Sequence, residues 1–274
     1  MTRKTGIIFR KGKRKSRNSE QEDFSIIGKN SSFAVREAYK VLRTNVMFSL
    51  AAAERGRLIG VTSADQGEGK STSALNLALS MAQTGKKVLF LDCDLRLSMI
   101  ASRLELPAAP GLSNILVGLV SAENAIQKVK DSELDIIVAG DVPPNPAELL
   151  ESSQMAEICG TLTQRYDYII MDLPPVELVS DVLIVSKYLD GVILVVRQDY
   201  SERDGIKDAV RQLRFVDAKL LGFIFNDHTV RYSSKYGRYG KYGKYGKYGK
   251  YGRSYYGGSY GDAKTMERIK AEET

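Results

Sequence analysis

Short apolar runs alternate with amphipathic stretches through the middle of the chain. The apolar runs predict strands at Leu58–Thr62, Val88–Leu91, Leu134–Val138, Tyr168–Met171, Val192–Val196 and Leu220–Phe225. The stretches between them predict helices over Ser71–Gln83, Ala147–Gln164, Asp181–Lys187 and Arg203–Phe215. Nearly continuous apolar strands separated by helices are typical of a mostly parallel sheet with helices on both faces. The pattern therefore predicts an α/β fold whose ligands bind at the strand-to-helix turns.

One more helix is predicted before this region, over Ser31–Leu50. Its apolar residues recur at three- and four-residue steps and fall on one face: Val35, Ala38, Tyr39, Leu42, Val46 and Leu50. Three charged residues, Glu37, Lys40 and Arg43, are each three positions apart. We expect them on a different face of the helix, pointing away from the body of the protein.

Both ends of the chain lack this pattern. Residues 1–30 are polar, basic and irregular, which predicts a flexible arm, or alternatively a polybasic segment that binds anionic lipid. Residues 231–274 begin with a repeated Lys-Tyr-Gly or Arg-Tyr-Gly unit that has no aliphatic side chain to bury. Such a segment predicts a disordered tail. The folded domain is therefore expected within residues 31–230.

Composition limits the number of domains and the cellular compartments that fit this protein. The 274 residues suffice for one sizeable domain with tails, and the net charge of +7 comes mainly from the two basic ends. Cys93 and Cys159 are the only cysteines, which gives no disulfide framework and fits a reducing cytoplasm. We see neither a secretory signal nor an apolar run of about 20 residues. We expect a soluble protein, or one bound peripherally to a membrane.

Residues 64–71, with the sequence ADQGEGKS, have the spacing of a phosphate-binding loop, although Ala64 stands where the first Gly is usual. A predicted strand ends at Thr62 and a predicted helix starts near Gly69. Backbone N–H groups and the helix N-terminus would then form a pocket for the β- and γ-phosphates of a nucleotide. The alternative, a Gly-rich turn with an incidental lysine, is disfavoured by the acidic motifs described next.

Each residue type in this loop has a chemical use. Gly67 and Gly69 allow close approach of the backbone, Lys70 supplies a positive charge, and the Ser71 hydroxyl can ligate Mg²⁺. The expected nucleotide contacts of the loop are Gly67, Glu68, Gly69, Lys70, Ser71 and Thr72.

Three acids lie at the ends of predicted strands. Asp92 and Asp94 follow one strand and Asp172 follows another. Buried carboxylates are costly unless they are paired or lie near a metal, so we expect Ser71, Asp94 and Asp172 around Mg²⁺, Asp172 through water or the Ser71 hydroxyl. Asp92 or Asp94 could accept a proton from an attacking hydroxyl, beside Lys70. Taken singly, each acid could instead be a helix cap or a turn residue.

Two other residues invite a catalytic reading that the sequence does not favour. Cys93 stands between the acids and is predicted to be a small buried side chain on the strand rather than a nucleophile. His228, the only histidine, lies where the tail begins and offers no basis for a histidine-dependent mechanism.

With these motifs, the chain resembles the bacterial tyrosine kinases of exopolysaccharide and capsule synthesis, in the Gram-positive form with a separate membrane-bound activator. The resemblance covers roughly residues 32–226 and the tail. It rests on the loop at 63–72, on Asp92, Asp94 and Arg96, and on the stretches 172–175, 143–150 and 42–45. It implies a P-loop NTPase fold and ATP-dependent, Mg²⁺-dependent phosphorylation of protein tyrosines.

The resemblance also implies roles outside the phosphate loop. The family's Glu-x-x-Arg-x-x-Arg face, which mediates ring-like self-association, matches Glu37, Lys40 and Arg43; the middle Lys loses the bidentate fork of Arg. The alternative is a solvated charged face. Asn226 matches a position used for adenine contact in related ATPases. The autophosphorylated cluster corresponds to Tyr232, Tyr236, Tyr239, Tyr242, Tyr245, Tyr248, Tyr251, Tyr255, Tyr256 and Tyr260.

The implied partners are the cytoplasmic tail of a membrane-anchored activator, further copies of the chain and a cognate tyrosine phosphatase. The implied location is the inner face of the cell membrane. One rival is a partition or septum-placement ATPase, but these carry a signature lysine where this chain has Asp65. Another is a regulator that binds ATP without transferring phosphate. Basic residues interleaved with tyrosine also suit single-stranded nucleic acid, but we favour the kinase interpretation because the ATP site gives the tyrosines a direct chemical use.

Overall fold

The computed structural model describes residues 26–28, 31–50 and 55–227. Within these ranges, one sheet is formed by β1 (Arg57–Ser63), β2 (Val88–Asp92), β3 (Gln127–Lys128), β4 (Asp135–Ile137), β5 (Tyr168–Asp172), β6 (Gly191–Arg197) and β7 (Leu220–Asn226). The strand order across the sheet is β3-β4-β2-β5-β1-β6-β7. The neighbouring strands are parallel except for the pair of β3 and β4. The mostly parallel α/β sheet is confirmed.

Helices connect the strands. They are α1 (Phe33–Ser49), α2 (Lys70–Ala82), α3 (Ile100–Arg103), α4 (Leu112–Leu116), α5 (Ala122–Ala125), α6 (Pro146–Glu151), α7 (Ser153–Arg165), α8 (Asp181–Val185) and α9 (Arg203–Phe215). A 3-10 turn, Ser186–Tyr188, continues α8. No helix in the described ranges has both the length and the apolar character needed to cross a membrane.

The core lies on both faces of the sheet, because successive side chains of a strand point to opposite sides. In β2, Leu89 and Leu91 join a cluster that includes residues of α7 and α8, whereas Val88 and Phe90 join a second cluster with α2. A strand buried on both sides needs apolar residues at nearly every position. This is why the continuous apolar runs located the central strands.

Two features of the sheet and its connections differ from the prediction. The predicted helix over Ala147–Gln164 is divided at Ser152, whose backbone is extended at ψ 161°. The Ser152 hydroxyl donates to the carbonyl of Leu149 at 2.6 Å and accepts from the backbone N–H of Met155 at 3.4 Å. Ser152 thus ends α6 and caps α7. The antiparallel strand β3 was not predicted, because two residues carry no periodic pattern.

Helix α1 also departs from the prediction on its charged face. Arg43 does not point away from the body: its Nη1 donates to the carbonyl of Ser80 in α2 at 2.6 Å. The outward direction predicted for Arg43 was wrong because α1 packs on α2 and uses a long cationic side chain in that contact. The predicted apolar face does meet the core: Val46 and Leu50 are buried, and Tyr39 and Leu42 pack partly buried on the same cluster, whereas Val35 remains 43% exposed.

The ends of the chain lie largely outside the described residues. The basic arm before residue 26 and the predicted tail, with all ten tyrosines, are among them. Residues 26–28 of the predicted arm are described, and Ile27 is 7% exposed while its N–H donates to Asn76 Oδ1 of α2 at 2.7 Å. This end of the arm therefore packs on the domain.

Candidate functional site

The three predicted acids converge because their strands are neighbours. Strand β5 lies between β2 and β1, and all three are parallel, so their carboxyl ends meet at one edge of the sheet. Asp92 of β2 is in register with Asp172 of β5, and Asp172 is in register with Val61 of β1. The phosphate loop follows β1 at this same edge. The structure thus brings the loop and the ends of these two strands together at one edge of the sheet.

The phosphate loop has the backbone that its glycines allow. Gly67 and Gly69 adopt positive φ angles of 75° and 87°, and α2 begins at Lys70 directly after them. A Cβ on Gly69 would lie 2.2 Å from Nδ2 of Asn226, so the close approach of β7 also requires glycine there. The backbone N–H groups at the start of α2 give the loop the character of an anion site.

Three side chains hold the phosphate loop in this shape. The Glu68 carboxylate, 1% exposed, accepts from the N–H groups of Ala64 at 2.9 Å and Asp65 at 3.2 Å. Asn226 Nδ2 donates to the Glu68 carbonyl at 3.0 Å, and Arg197 Nη1 donates to the Gly67 carbonyl at 3.0 Å. Glu68 and Asn226, expected among the nucleotide contacts, thus fix the shape of the loop with their side chains. Arg197 was not predicted.

Lys70 places a positive charge beside the acids. Its Nζ lies 3.0 Å from Asp94 Oδ2 and 3.7 Å from Asp172 Oδ1, and it donates to the Ser71 hydroxyl at 3.3 Å. Burial acts to lower the pKa of Lys70, but the charges of Asp172 and Asp94 outweigh burial and raise it. Lys70 is therefore held in its charged form, as a phosphate-binding lysine requires.

Asp92 lies behind this ion pair and is fully buried. Its carboxylate accepts from the Ser98 hydroxyl and from the backbone N–H of Asp94, the latter at 3.2 Å. Burial, together with the negative charge of Asp172, raises the pKa of Asp92 to about 8. A carboxylate with a raised pKa is a stronger base once it is ionised than an ordinary carboxylate, so Asp92 would act as a proton acceptor in its deprotonated form. Ser98 was not predicted from the sequence.

The donor set around Lys70 fits Mg²⁺. Burial raises the pKa of Asp172, and its buried Oδ1 has no hydrogen-bond partner in the described part of the chain and lies 3.7 Å from the Lys70 ammonium. The Ser71 hydroxyl and Asp94 line the same cleft. No cluster of three or more His, Cys, Asp or Glu in the described ranges forms a complete metal site.

Lys70, Ser71, Asp94 and Asp172 line a cleft of about 240 Å³. One wall is the phosphate loop with Asp94 and Asp172, and the other contains Arg96, Leu97, Met99, Pro174 and Leu178. Arg96 makes a bidentate ion pair with the buried Asp181 of α8, at 2.8 and 2.9 Å. This pair fixes the loop after β2 to α8. A larger groove of about 900 Å³ lies at the opposite edge of the sheet, away from the acids and the phosphate loop.

The remaining predicted residues are separated from this site. Glu37 and Lys40 form an ion pair of 2.7 Å on the exposed side of α1, and Arg43 contacts α2 instead. Cys93 is fully buried, and burial raises its pKa well above the ordinary value, as expected for a structural cysteine.

Comparison with known proteins assigns the chain to a family. The sequence profile described as "AAA domain" matches residues 56–223. The chain is 37% identical to "Tyrosine-protein kinase YwqD" of Bacillus subtilis, over 82% of this chain and 94% of that protein. The chain belongs to the bacterial tyrosine kinases. A further relative of this kinase, "Tyrosine-protein kinase CpsD" of Streptococcus agalactiae, is 35% identical over 69% of this chain and 81% of its own.

Solved structures agree. The kinase superposes on the chimeric protein CapA2B2 with a TM-score of 0.66 at 35% identity, covering 69% of this chain and 83% of that one. The kinase domain of Escherichia coli ETK superposes with a TM-score of 0.67 at 29% identity, which covers 72% of this chain and 79% of that domain's chain. The septum site-determining protein MinD of Pyrococcus horikoshii, complexed with Mg-ADP, has a lower TM-score of 0.54 at 25% identity. That superposition covers 62% of this chain and 70% of the MinD chain. This kinase thus shares the P-loop fold of such ATPases and is more similar to tyrosine kinases.

Proposed function

We propose that this kinase transfers the γ-phosphoryl group of ATP·Mg²⁺ to tyrosines in the tail of a neighbouring copy and thereby regulates exopolysaccharide or capsule synthesis. The observation that carries the proposal is the position of Lys70. Its ammonium lies between Asp94 and Asp172 at the start of α2, where the phosphate loop and these two acids line one cleft. Phosphoryl transfer depends on such a concentration of positioned charge rather than on covalent chemistry by the protein.

The transfer step balances with the residues of the cleft. The tyrosine oxygen forms a bond to the γ-phosphorus, and the bond from that phosphorus to the bridging oxygen breaks, so ADP leaves with the electron pair. The phenol proton passes to a carboxylate, either Asp94 at the cleft or Asp92 behind it. Lys70 and the N–H groups of the loop hold the phosphates. Bound Mg²⁺, held by Ser71, Asp94 and Asp172, would neutralise the charge that develops on them.

Asn226 is proposed to retain its part in nucleotide binding. Its side chain braces the loop through the Glu68 carbonyl, and its place at the end of β7 puts it beside that loop. We propose that the adenine ring lies on this side of β1, with Thr72 and the backbone of Gly67 to Ser71 around the phosphates.

The tail supplies the acceptors. Its ten tyrosines, from Tyr232 to Tyr260, follow a domain whose described part ends at Asp227. A flexible chain of about 30 residues has a root-mean-square span on the order of 30 Å, which allows contact with another copy. Each phosphate adds about −1.5 to −2 charges, so a few transfers reverse the sign of the basic tail. Unmodified tails would favour the ring and phosphorylated tails would leave it.

The proposed setting follows the relatives. A Klebsiella pneumoniae relative is named as a putative tyrosine kinase "in cps region". We propose that a membrane-anchored activator recruits this kinase to the inner face of the membrane through the activator's cytoplasmic tail. A tyrosine phosphatase would reset the tail, and the α1 face with Glu37 and Lys40, joined by Arg43, would contact the next copy in the ring.

A mixing experiment tests transfer between copies. Full-length Lys70→Met protein, tagged to change its mass, is incubated with wild-type protein, ATP·Mg²⁺ and the activator's cytoplasmic tail. We expect phosphotyrosine on the tagged protein after residue 230, and none when the tagged protein is incubated alone. Label that stays on the wild-type chain would contradict transfer between copies. No label on either chain would leave an ATP-binding regulator.

Oligomer size tests the proposed consequence. Light scattering would compare the autophosphorylated protein with the same protein after phosphatase treatment. We expect the dephosphorylated form to be the larger assembly, and equal masses would contradict the link between tail charge and the ring.

A further inference from the structure

The wall of the cleft that faces the phosphate loop carries three exposed apolar side chains. Leu97 is 63% exposed, Met99 is 51% exposed and Leu178 is 50% exposed, and all three line the cleft that contains Asp94 and Lys70. The phosphates of a nucleotide and Mg²⁺ bind polar groups, so their binding does not explain the presence of these apolar side chains in the cleft. An apolar group gains from contact with such a surface, because the contact removes both from water.

The adenine ring does not account for this surface. Leu97 and Met99 follow β2, and Leu178 follows β5, whereas Asn226 ends β7. In the sheet, β2 and β5 lie on one side of β1 and β7 lies on the other. The three apolar side chains therefore stand on the opposite side of the phosphate loop from the proposed adenine position.

The apolar wall is attached directly to the catalytic acids. The backbone N–H of Leu97 donates to Asp94 Oδ1 at 3.1 Å, and the hydroxyl of Ser98 donates to Asp92. These bonds hold the backbone of the turn against the carboxylates while the Leu97 side chain stays exposed. A ring that packs on Leu97 would therefore place its own substituent near Asp94.

We propose that Leu97, Met99 and Leu178 form an acceptor slot, which binds the phenol ring of a tail tyrosine from a second copy during transfer. This inference rests on the proposed function and adds no chemical step to it. The occupant is chosen by chemistry: tyrosine joins an apolar ring to the one hydroxyl that must reach the acids. Eight of the ten tail tyrosines are followed by Gly, whose missing side chain lets the backbone approach a narrow cleft.

Replacement of the apolar wall tests the slot. Leu97→Ser and Met99→Ser are made in the full-length enzyme, with tagged full-length Lys70→Met as the acceptor at varied concentration. We expect kcat/KM for the acceptor to fall about tenfold or more in each variant, mainly through KM, since a binding contact is lost. Leu97→Met should restore most of the rate because it restores apolar area.

The controls separate this inference from the proposed function. Phe215→Ser changes an 87% exposed apolar side chain at the end of α9, away from the cleft, and should transfer phosphate at the wild-type rate. Nucleotide affinity, measured with a fluorescent ATP analogue, should remain within about twofold in both slot variants, which also reports that they fold. Two results would overturn the slot while the proposed function stands. In the first, the wild-type enzyme transfers phosphate and the slot variants have the same KM for the acceptor as the wild type. In the second, the slot variants lose nucleotide affinity to the same extent as they lose transfer. Absence of transfer by the wild-type enzyme would overturn the proposed function and the slot together.

Discussion

The two edges of the central sheet handle charge in opposite ways. At the amino edge, Asp190 joins Arg55 and Arg57 at 2.9 and 3.1 Å, and Lys86 lies 3.6 Å from Asp167 with both side chains over 40% exposed. At the carboxyl edge, Lys70 forms ion pairs with Asp94 and Asp172, two of three nearly buried acids. Asp172 Oδ1 lacks a hydrogen bond among the described residues. At the amino edge, each charged group has a partner of opposite charge within the chain. At the carboxyl edge, three acids share one lysine, and bound Mg²⁺ with the phosphates of a nucleotide would balance the remaining negative charge and use the positive charge of Lys70.

The difference between the two edges shows which charged groups would gain free energy when nucleotide and Mg²⁺ bind. Buried carboxylates held close together destabilise the free protein, because burial penalises their charged forms. Surface ion pairs contribute little in either direction. Substitutions at the carboxyl edge should therefore change the reaction, whereas equivalent substitutions at the amino edge should change only stability.

The largest contrast is expected between Lys70→Met and Lys86→Met. Removal of the Lys70 charge should lower tyrosine phosphorylation by about 10²-fold or more, because the transition-state phosphates lose a positioned cation. Lys86→Met should leave the rate unchanged and alter the free energy of unfolding by less than about 1 kcal/mol. Single-turnover labelling and urea denaturation measure the two effects. Residual labelling by Lys70→Met at the wild-type level would mean that another kinase contaminates the preparation.

Asp92→Asn should give the next largest effect. The change keeps the size of the side chain but removes a proton acceptor, so we expect a fall of about 10²-fold in kcat. Nucleotide affinity should change much less, because Asp92 is fully buried behind Lys70 and Asp94. Titration with a fluorescent ATP analogue would be the comparison. Equal losses in kcat and in nucleotide affinity would assign Asp92 to binding instead.

The same variant sharpens the comparison through pH. In the folded state the pKa of Asp92 is raised to about 8 from an ordinary value of 3.8, so between these values the folded protein binds more protons than the unfolded chain. The free energy of unfolding of the wild type must then fall as the pH rises through this window. Asp92→Asn lacks that contribution and should gain stability over the wild type from about pH 5 to pH 8. Thermal unfolding without nucleotide or Mg²⁺ tests this, and parallel curves would refute it.

Asp190→Asn should destabilise the amino edge without slowing the reaction. Its carboxylate accepts from both arginines and from the backbone N–H of Leu58 at 2.9 Å. Loss of the charge should reduce the free energy of unfolding by about 1–3 kcal/mol. Urea denaturation gives this number, and the labelling rate should stay within error of the wild type. A slower reaction would show that the two edges are coupled.

The smallest effect is expected from Lys40→Arg in α1. Lys40 pairs with Glu37 at 2.7 Å on an exposed helical face, and such pairs contribute about 0.2–0.5 kcal/mol. Stability should barely change. Self-association should become tighter, because Arg can form the bidentate contact that Lys cannot. Mass photometry at a fixed protein concentration would detect the shift, and an unchanged mass would favour a merely solvated face.

The sequence revealed the parts of this kinase that carry local or periodic signals. Strand β2 was predicted over Val88–Leu91 and extends over Val88–Asp92, because burial on both faces leaves a continuous apolar run. The phosphate loop and the acids were found because their spacing follows from strand ends. Contacts between distant residues were not found. Arg197 and Gly67 are 130 positions apart, and no pattern in the sequence relates them. The contact of Arg43 with Ser80 depends likewise on the way α1 crosses α2, which the periodicity of one helix does not determine.

The left-handed backbone of Gly69 restricts what can replace it. Its φ of 87° strains any residue that carries a Cβ, and that Cβ would also meet the side-chain amide of Asn226. A shorter residue at 226 would remove the second obstacle and leave the first. Position 69 should therefore stay glycine among descendants of this chain, whichever residue stands at 226.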